Sequence, residues 1–90
     1  MAVIVVKPTQ AQIDDFKNGP TWEVSPTVLH SQYRGDEYFL ALRGSVDLDV
    51  EGQGLVHIQE GDLVLIQQGT KLDWFVHERF RKAYKFVAVI

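Results

Sequence analysis

His30, Gln32 and Glu37 are the residues of this chain whose types and spacing could do chemistry together. Imidazole and carboxylate suit zinc, iron, manganese or nickel, and an amide oxygen adds a weaker ligand. His30 and Gln32 stand two residues apart, which on a strand puts both on one face. "YRGD" (33–36) then supplies turn residues, and Glu37 opens the next segment within reach of that face. Two outcomes follow: a divalent-metal site, or a metal-free polar pocket in which the same groups hydrogen-bond a ligand or one another. Other chemistries lose support. The chain has no cysteine, so disulfides, thiolate ligands and thiol nucleophiles are excluded. Ser25, Ser31 and Ser45 lack the glycine-flanked turn of a serine nucleophile. "GQG" (52–54) is a turn, because no strand-to-helix context follows it.

The elements that must position these residues are short strands. "AVIVV" (2–6) is β-branched and reads as a strand. Thr9 and Gln12 fit a capping box at the start of a short helix over about 9–18, and Gly19–Pro20 stops it. From Thr21 onward, strands are expected at 21–25, 27–32, 37–43, 45–50, 55–59, 62–66, 71–76 and 80–89, each gap carrying turn residues. In "SVDLDV", Val46, Leu48 and Val50 alternate with Asp47 and Asp49, so the acids read as a solvated face rather than a calcium loop. His57 reads as a surface or interface residue of the partner strand. Close-spaced strands of this kind make an all-β sandwich or barrel.

Size and charge narrow the function classes. Ninety residues form one domain, read as 1–90 with the barrel at about 21–89. A chain this short buries about 60–65% of its unfolded surface, so closing a sheet or sharing surface with a second copy is needed. Apolar strands at both ends favour a homodimer. The net charge of −3 argues against a nucleic-acid partner. No apolar run approaches a membrane span. "MAVIVVKPT" has no basic segment before its apolar run, so a cytoplasmic location is expected. Arg79, Arg81, Lys82 and Lys85 are expected on the solvated side of the last strand, with a binding patch for an acidic ligand as the alternative, and Glu78 and Arg81 as an ion pair.

The spacing resembles the first motif of the cupin superfamily: His-x-His, three or four residues, Glu, six residues, Gly. It reads His30-x-Gln32, four residues, Glu37, six residues, Gly44. Gln32 stands where a second histidine is usual. The second motif maps onto Gly61 to Gly69 and places Leu72 at the last ligand position, where no metal can bind. "GTKLDWFVHERFRKAY" (69–84), with "KPT" and "TWEVSP", is similar to the small single-domain cupins of the type 3 group. The cupin domains of ureidoglycine aminohydrolase and ethanolamine-utilisation protein Q are related to that group. The resemblance covers roughly residues 5 to 88. It implies a cupin jelly-roll β-barrel (a double-stranded β-helix) with one short amino-terminal helix. It also implies a pocket lined by His30, Gln32, Glu37, Phe39, Trp74 and Tyr84.

Three readings stay open. One is a module binding a small polar or anionic molecule without a firmly held metal. Another is an enzyme using Mn, Fe, Ni or Zn on His30, Gln32 and Glu37. The last is a dimeric scaffold.

Overall fold

Alternation of apolar and polar residues drives nearly every element to its expected place. The computed structural model describes residues 2–86. In chain order these form β1 (Val3–Val6), α1 (Gln10–Lys17), β2 (Thr21–Val24), β3 (Thr27–Gln32), β4 (Glu37–Arg43), β5 (Ser45–Val50), β6 (Gly54–Gln59), β7 (Leu63–Ile66), β8 (Lys71–Val76) and β9 (Phe80–Phe86). The part of the last expected strand beyond Phe86 lies outside the described residues. α1 starts as its sequence dictates. Thr9 Oγ1 accepts from the Gln12 amide and the Gln12 side chain accepts from the Thr9 amide, a complete capping box.

The strands form two antiparallel sheets, β1-β7-β4-β9-β2 and β3-β8-β5-β6, packed face to face as a jelly roll. The sheets are not closed into a barrel. β1 pairs with β7 and β6 with β5, and no ladder joins β1 to β6. A side chain bridges part of that gap. Gln53, in the β5–β6 turn, accepts from the Val3 amide and donates to the Val3 carbonyl, both at 2.9 Å. The expectation of a closed barrel is corrected in this respect.

Between the sheets lies the main core, which includes Phe39, Val46, Leu48, Val50, Ile58, Val64, Ile66, Trp74, Val76 and Phe80. Its centre is aromatic: Phe39 to Trp74 is 5.6 Å between ring centroids, Trp74 to Phe80 is 6.1 Å, and Trp22 to Trp74 is 6.3 Å. α1 covers the opposite face of the five-stranded sheet, where Phe16 packs with Leu40, Leu63 and Ala83. Ile13, three residues before Phe16, completes the docking face of the helix. Asp47 and Asp49 face outward from β5 as their alternation requires, while Val46, Leu48 and Val50 are buried.

Candidate functional site

The side chains of β3 fix one wall of the site, and their parity decides which residues enter it. Leu29, Ser31 and Tyr33 are partly buried, whereas His30 and Gln32 are exposed. His30 therefore lies on the outer face of the four-stranded sheet. There its Nδ1 is 2.6 Å from Asp73 Oδ1, the residue opposite it on β8. Gln32, although exposed, contributes to the lining of the inter-sheet cavity. The expected His30, Gln32 and Glu37 metal set does not converge. A one-residue shift of register moves every side chain of a strand to the other face. The inward pair is Ser31 and Tyr33, which leaves three residues rather than four before Glu37 and still satisfies the cupin spacing. Leu72 does hold the expected fourth position: it is buried and pairs in register with Ser31.

Glu37, the first residue of β4, is 1% exposed and faces the cavity. Both of its carboxylate oxygens are engaged. Tyr33 Oη donates to Oε1 at 2.7 Å, and Lys82 Nζ donates to Oε2 at 2.7 Å. Lys82 is 7% exposed, which corrects the expectation that it shares the solvated side of β9 with Arg81 and Lys85. On β9 it has the parity of Phe80 and Tyr84, so its side chain enters between the sheets. It stands in register with Trp22 on β2 and Ala41 on β4. Its ammonium lies 4.7 Å from the Trp74 ring centroid, 4.9 Å from Phe39, 5.0 Å from Trp22 and 5.9 Å from Tyr84. Rings at these distances attract a cation through their π faces. Among the described residues Glu78 accepts from Ser45 rather than pairing with Arg81, and Arg79 pairs with Glu23.

The electrostatics follow from burial. Removal from water pulls the Lys82 ammonium below its ordinary value, and the adjacent Glu37 charge and hydrogen bond oppose that shift. The Tyr33 hydroxyl is pushed well above its ordinary value, first by burial and then by the Glu37 carboxylate it faces. Tyr33 is therefore a neutral donor at any physiological pH.

The cavity beside this trio has a volume of about 480 Å³ and a wall of Trp22, Ser31, Tyr33, Glu37, Lys82 and Tyr84. Gln32, Arg34, Gly35 and Phe86 form the rest of its lining. Of the expected pocket residues, Gln32, Glu37 and Tyr84 line it. Phe39 and Trp74 lie beneath it in the core, where their rings meet the Lys82 ammonium. His30 is absent from it and lines a second cavity of about 500 Å³ on the other side of β3, with Asp49, Lys71 and Asp73. A divalent metal does not fit the inter-sheet site. Among the described residues Glu37 is the one carboxylate in its lining, already spanned by a cation and a hydroxyl donor, and the other motif positions hold Ser31, Tyr33 and Leu72. No group of three or more His, Asp or Glu residues able to hold a metal occurs among the described residues.

All three histidines project from the outer face of the four-stranded sheet or its end. His57 Nδ1 is 2.6 Å from Asp47 Oδ1 and His77 Nε2 is 2.7 Å from Asp47 Oδ2. These two hydrogen bonds, His57 first, hold the Asp47 carboxyl below its usual range.

Known proteins share this architecture. A DUF861 family protein from Thermotoga maritima superimposes with a TM-score of 0.89 and is 28% identical, covering 96% of this chain and 100% of that one. The EutQ protein of Clostridium difficile gives a TM-score of 0.66 at 24% identity over 73% of this chain and 52% of its own length. A putative ethanolamine utilization protein Q from Salmonella typhimurium gives 0.65 at 16% identity over 96% of this chain and 69% of that one. These last two likenesses concern the fold alone. A search of curated proteins finds no match. The family model described as the EutQ-like cupin domain matches residues 12–84, from α1 to Tyr84, and the chain belongs to that family.

Proposed function

We propose that this protein binds a small anionic molecule in the inter-sheet cavity, without a metal ion. One observation carries the reading: the buried Lys82–Glu37–Tyr33 trio opens onto a cavity of about 480 Å³. That volume is in the range of small-molecule sites, about 300–1,000 Å³. Aromatic walls from Trp22 and Tyr84 provide apolar contact, and Ser31, Gln32 and Tyr33 provide polar anchors. Within the trio, the Lys82 charge is matched by Glu37. Arg34, exposed at the rim with no ion-pair partner among the described residues, leaves the lining with a net positive charge. Anions are thus favoured over cations.

The test is a heteronuclear NMR titration with small carboxylates and inorganic phosphate. Binding shifts the Trp22 and Tyr84 resonances, and Arg34→Ala weakens it up to about fivefold, the effect of an exposed ion pair. Saturable shifts confined to the outer face around His30 would sink the proposal. So would stoichiometric Mn, Fe, Ni or Zn in protein purified without a metal-binding tag, lost in Glu37→Ala; that result would restore the metal-enzyme reading.

A further inference from the structure

Lys82 combines three properties that a surface lysine lacks. It is a primary amine at the wall of a cavity that can admit a small molecule. It is nine-tenths buried among aromatic rings, where its charged form is poorly solvated. A carboxylate oxygen, Glu37 Oε2, lies 2.7 Å from Nζ and can accept a proton directly. A lysine desolvated in an apolar pocket is one of the ways proteins make an amine nucleophilic. Ion pairing alone could be satisfied by arginine, which is the more common partner in buried pairs and cannot act as a nucleophile.

We infer that Lys82 is an imine-forming amine whose Nζ condenses with the carbonyl carbon of a small 2-oxo acid held in the cavity. The inference rests on the anion-binding reading and adds the substrate class to it. The Lys82 ammonium transfers one proton to Glu37 Oε2. The freed lone pair attacks the carbonyl carbon, the carbon–nitrogen bond forms, and the carbonyl oxygen takes up a proton to become a hydroxyl. Glu37, having given its proton to that oxygen, takes a second proton from the now cationic nitrogen and passes it to the hydroxyl, which the nitrogen lone pair expels as water. Ammonium and ketone become protonated imine and water, Glu37 ends as it began, and no oxidant or reductant is required. Tyr33 Oη, held on the other oxygen of the same carboxylate, keeps that carboxylate aimed at Nζ. Arg34 supplies the charge that favours an oxo acid over a neutral ketone.

The probe is pyruvate with the full chain, reduced by sodium borohydride and mapped by peptide mass spectrometry. The expected result is one reduced pyruvate per chain on the peptide containing Lys82, with Lys7, Lys17 and Lys71 at background although they are more accessible to solvent. Arg34→Ala lowers labelling by pyruvate up to about fivefold relative to labelling by the uncharged ketone dihydroxyacetone. Lys82→Arg removes the adduct from that peptide. Because the distribution is read in the unmutated protein, the result stands even where a variant folds poorly. Adducts that follow surface exposure, with Lys82 unmodified, overturn the inference. If phosphate or another carboxylate is then still held in the cavity, the anion-binding reading survives alone; if no small anion is held, both fall.

Discussion

At the scale of single residues, the interior of this cupin is organised by a charge pair rather than by a ligand set. Lys82 and Glu37 are each buried and each depends on the other. Removing one partner of such a pair strands a charge in low dielectric and costs about 3–5 kcal/mol, whereas replacing both with neutral groups of similar shape is often near neutral. Lys82→Met is therefore expected to lower unfolding free energy by about 3–5 kcal/mol. The double variant Lys82→Met with Glu37→Gln, in which the introduced side-chain amide oxygen still accepts from Tyr33, is expected to recover most of it. Denaturant unfolding of the four proteins of the cycle measures the coupling; additive losses would mean that the pair is not a unit. Half of this site was legible in the sequence. Glu37 and Leu72 stand where the spacing puts them. His30 was misplaced because the motif tolerates three or four residues before its glutamate, and only strand parity separates those choices. Leu29 held the deciding signal, since its apolar side chain marks the inner face and so places His30 outside. Lys82 was hidden in a run of basic residues, although its parity with Phe80 and Tyr84 pointed inward.

At the scale of elements, strand boundaries were readable because hydrophobic alternation and turn residues agree along most of the chain. The β4–β5 connection shows why one motif residue is a glycine. Gly44 has φ 82°, a left-handed conformation. A Cβ there would overlap the Arg79 carbonyl oxygen and come within 3.3 Å of Phe80 Cα. β4 also shifts register against β9 just before it, between Ala41 and Arg43. The tight turn brings the two sheets together beside the start of β9, the strand that carries Lys82. Gly44→Ala combines the conformational cost, about 1–2 kcal/mol, with displacement of β9 backbone. A loss of more than about 2 kcal/mol is expected in thermal or denaturant unfolding. A fall of less than that would mean that the β9 backbone yields freely. What could not be read from the sequence was closure. Alternation reports which face of a strand is buried, but it carries no information on whether the two outermost strands pair.

At the scale of the whole molecule, apolar surface remains uncovered on the five-stranded sheet. Ile4, Leu65 and Tyr38 lie in one row across β1, β7 and β4, beside the ground that α1 covers, and Ile4 and Tyr38 are exposed. Val6 continues the patch at 48% exposure. We propose that a second copy covers this face. Sedimentation should show a dimer at micromolar concentration that Ile4→Glu with Tyr38→Glu converts to monomer. Monomer alone in the unmutated protein would end that proposal. Backbone pairing through β1 is a poor route to such a dimer, and the reason lies in Gln53. The Ala2 carbonyl faces β7, so the Val3 amide and carbonyl point to the open edge, and Gln53 already occupies both. Two hydrogen bonds from one amide are worth about 1–3 kcal/mol together. The amino-terminal strand therefore does not fray from its end as a free edge would. The Val3 amide exchanges with solvent only when Gln53 lets go, which couples the opening of that end of β1 to the β5–β6 turn at the tip of the opposite sheet.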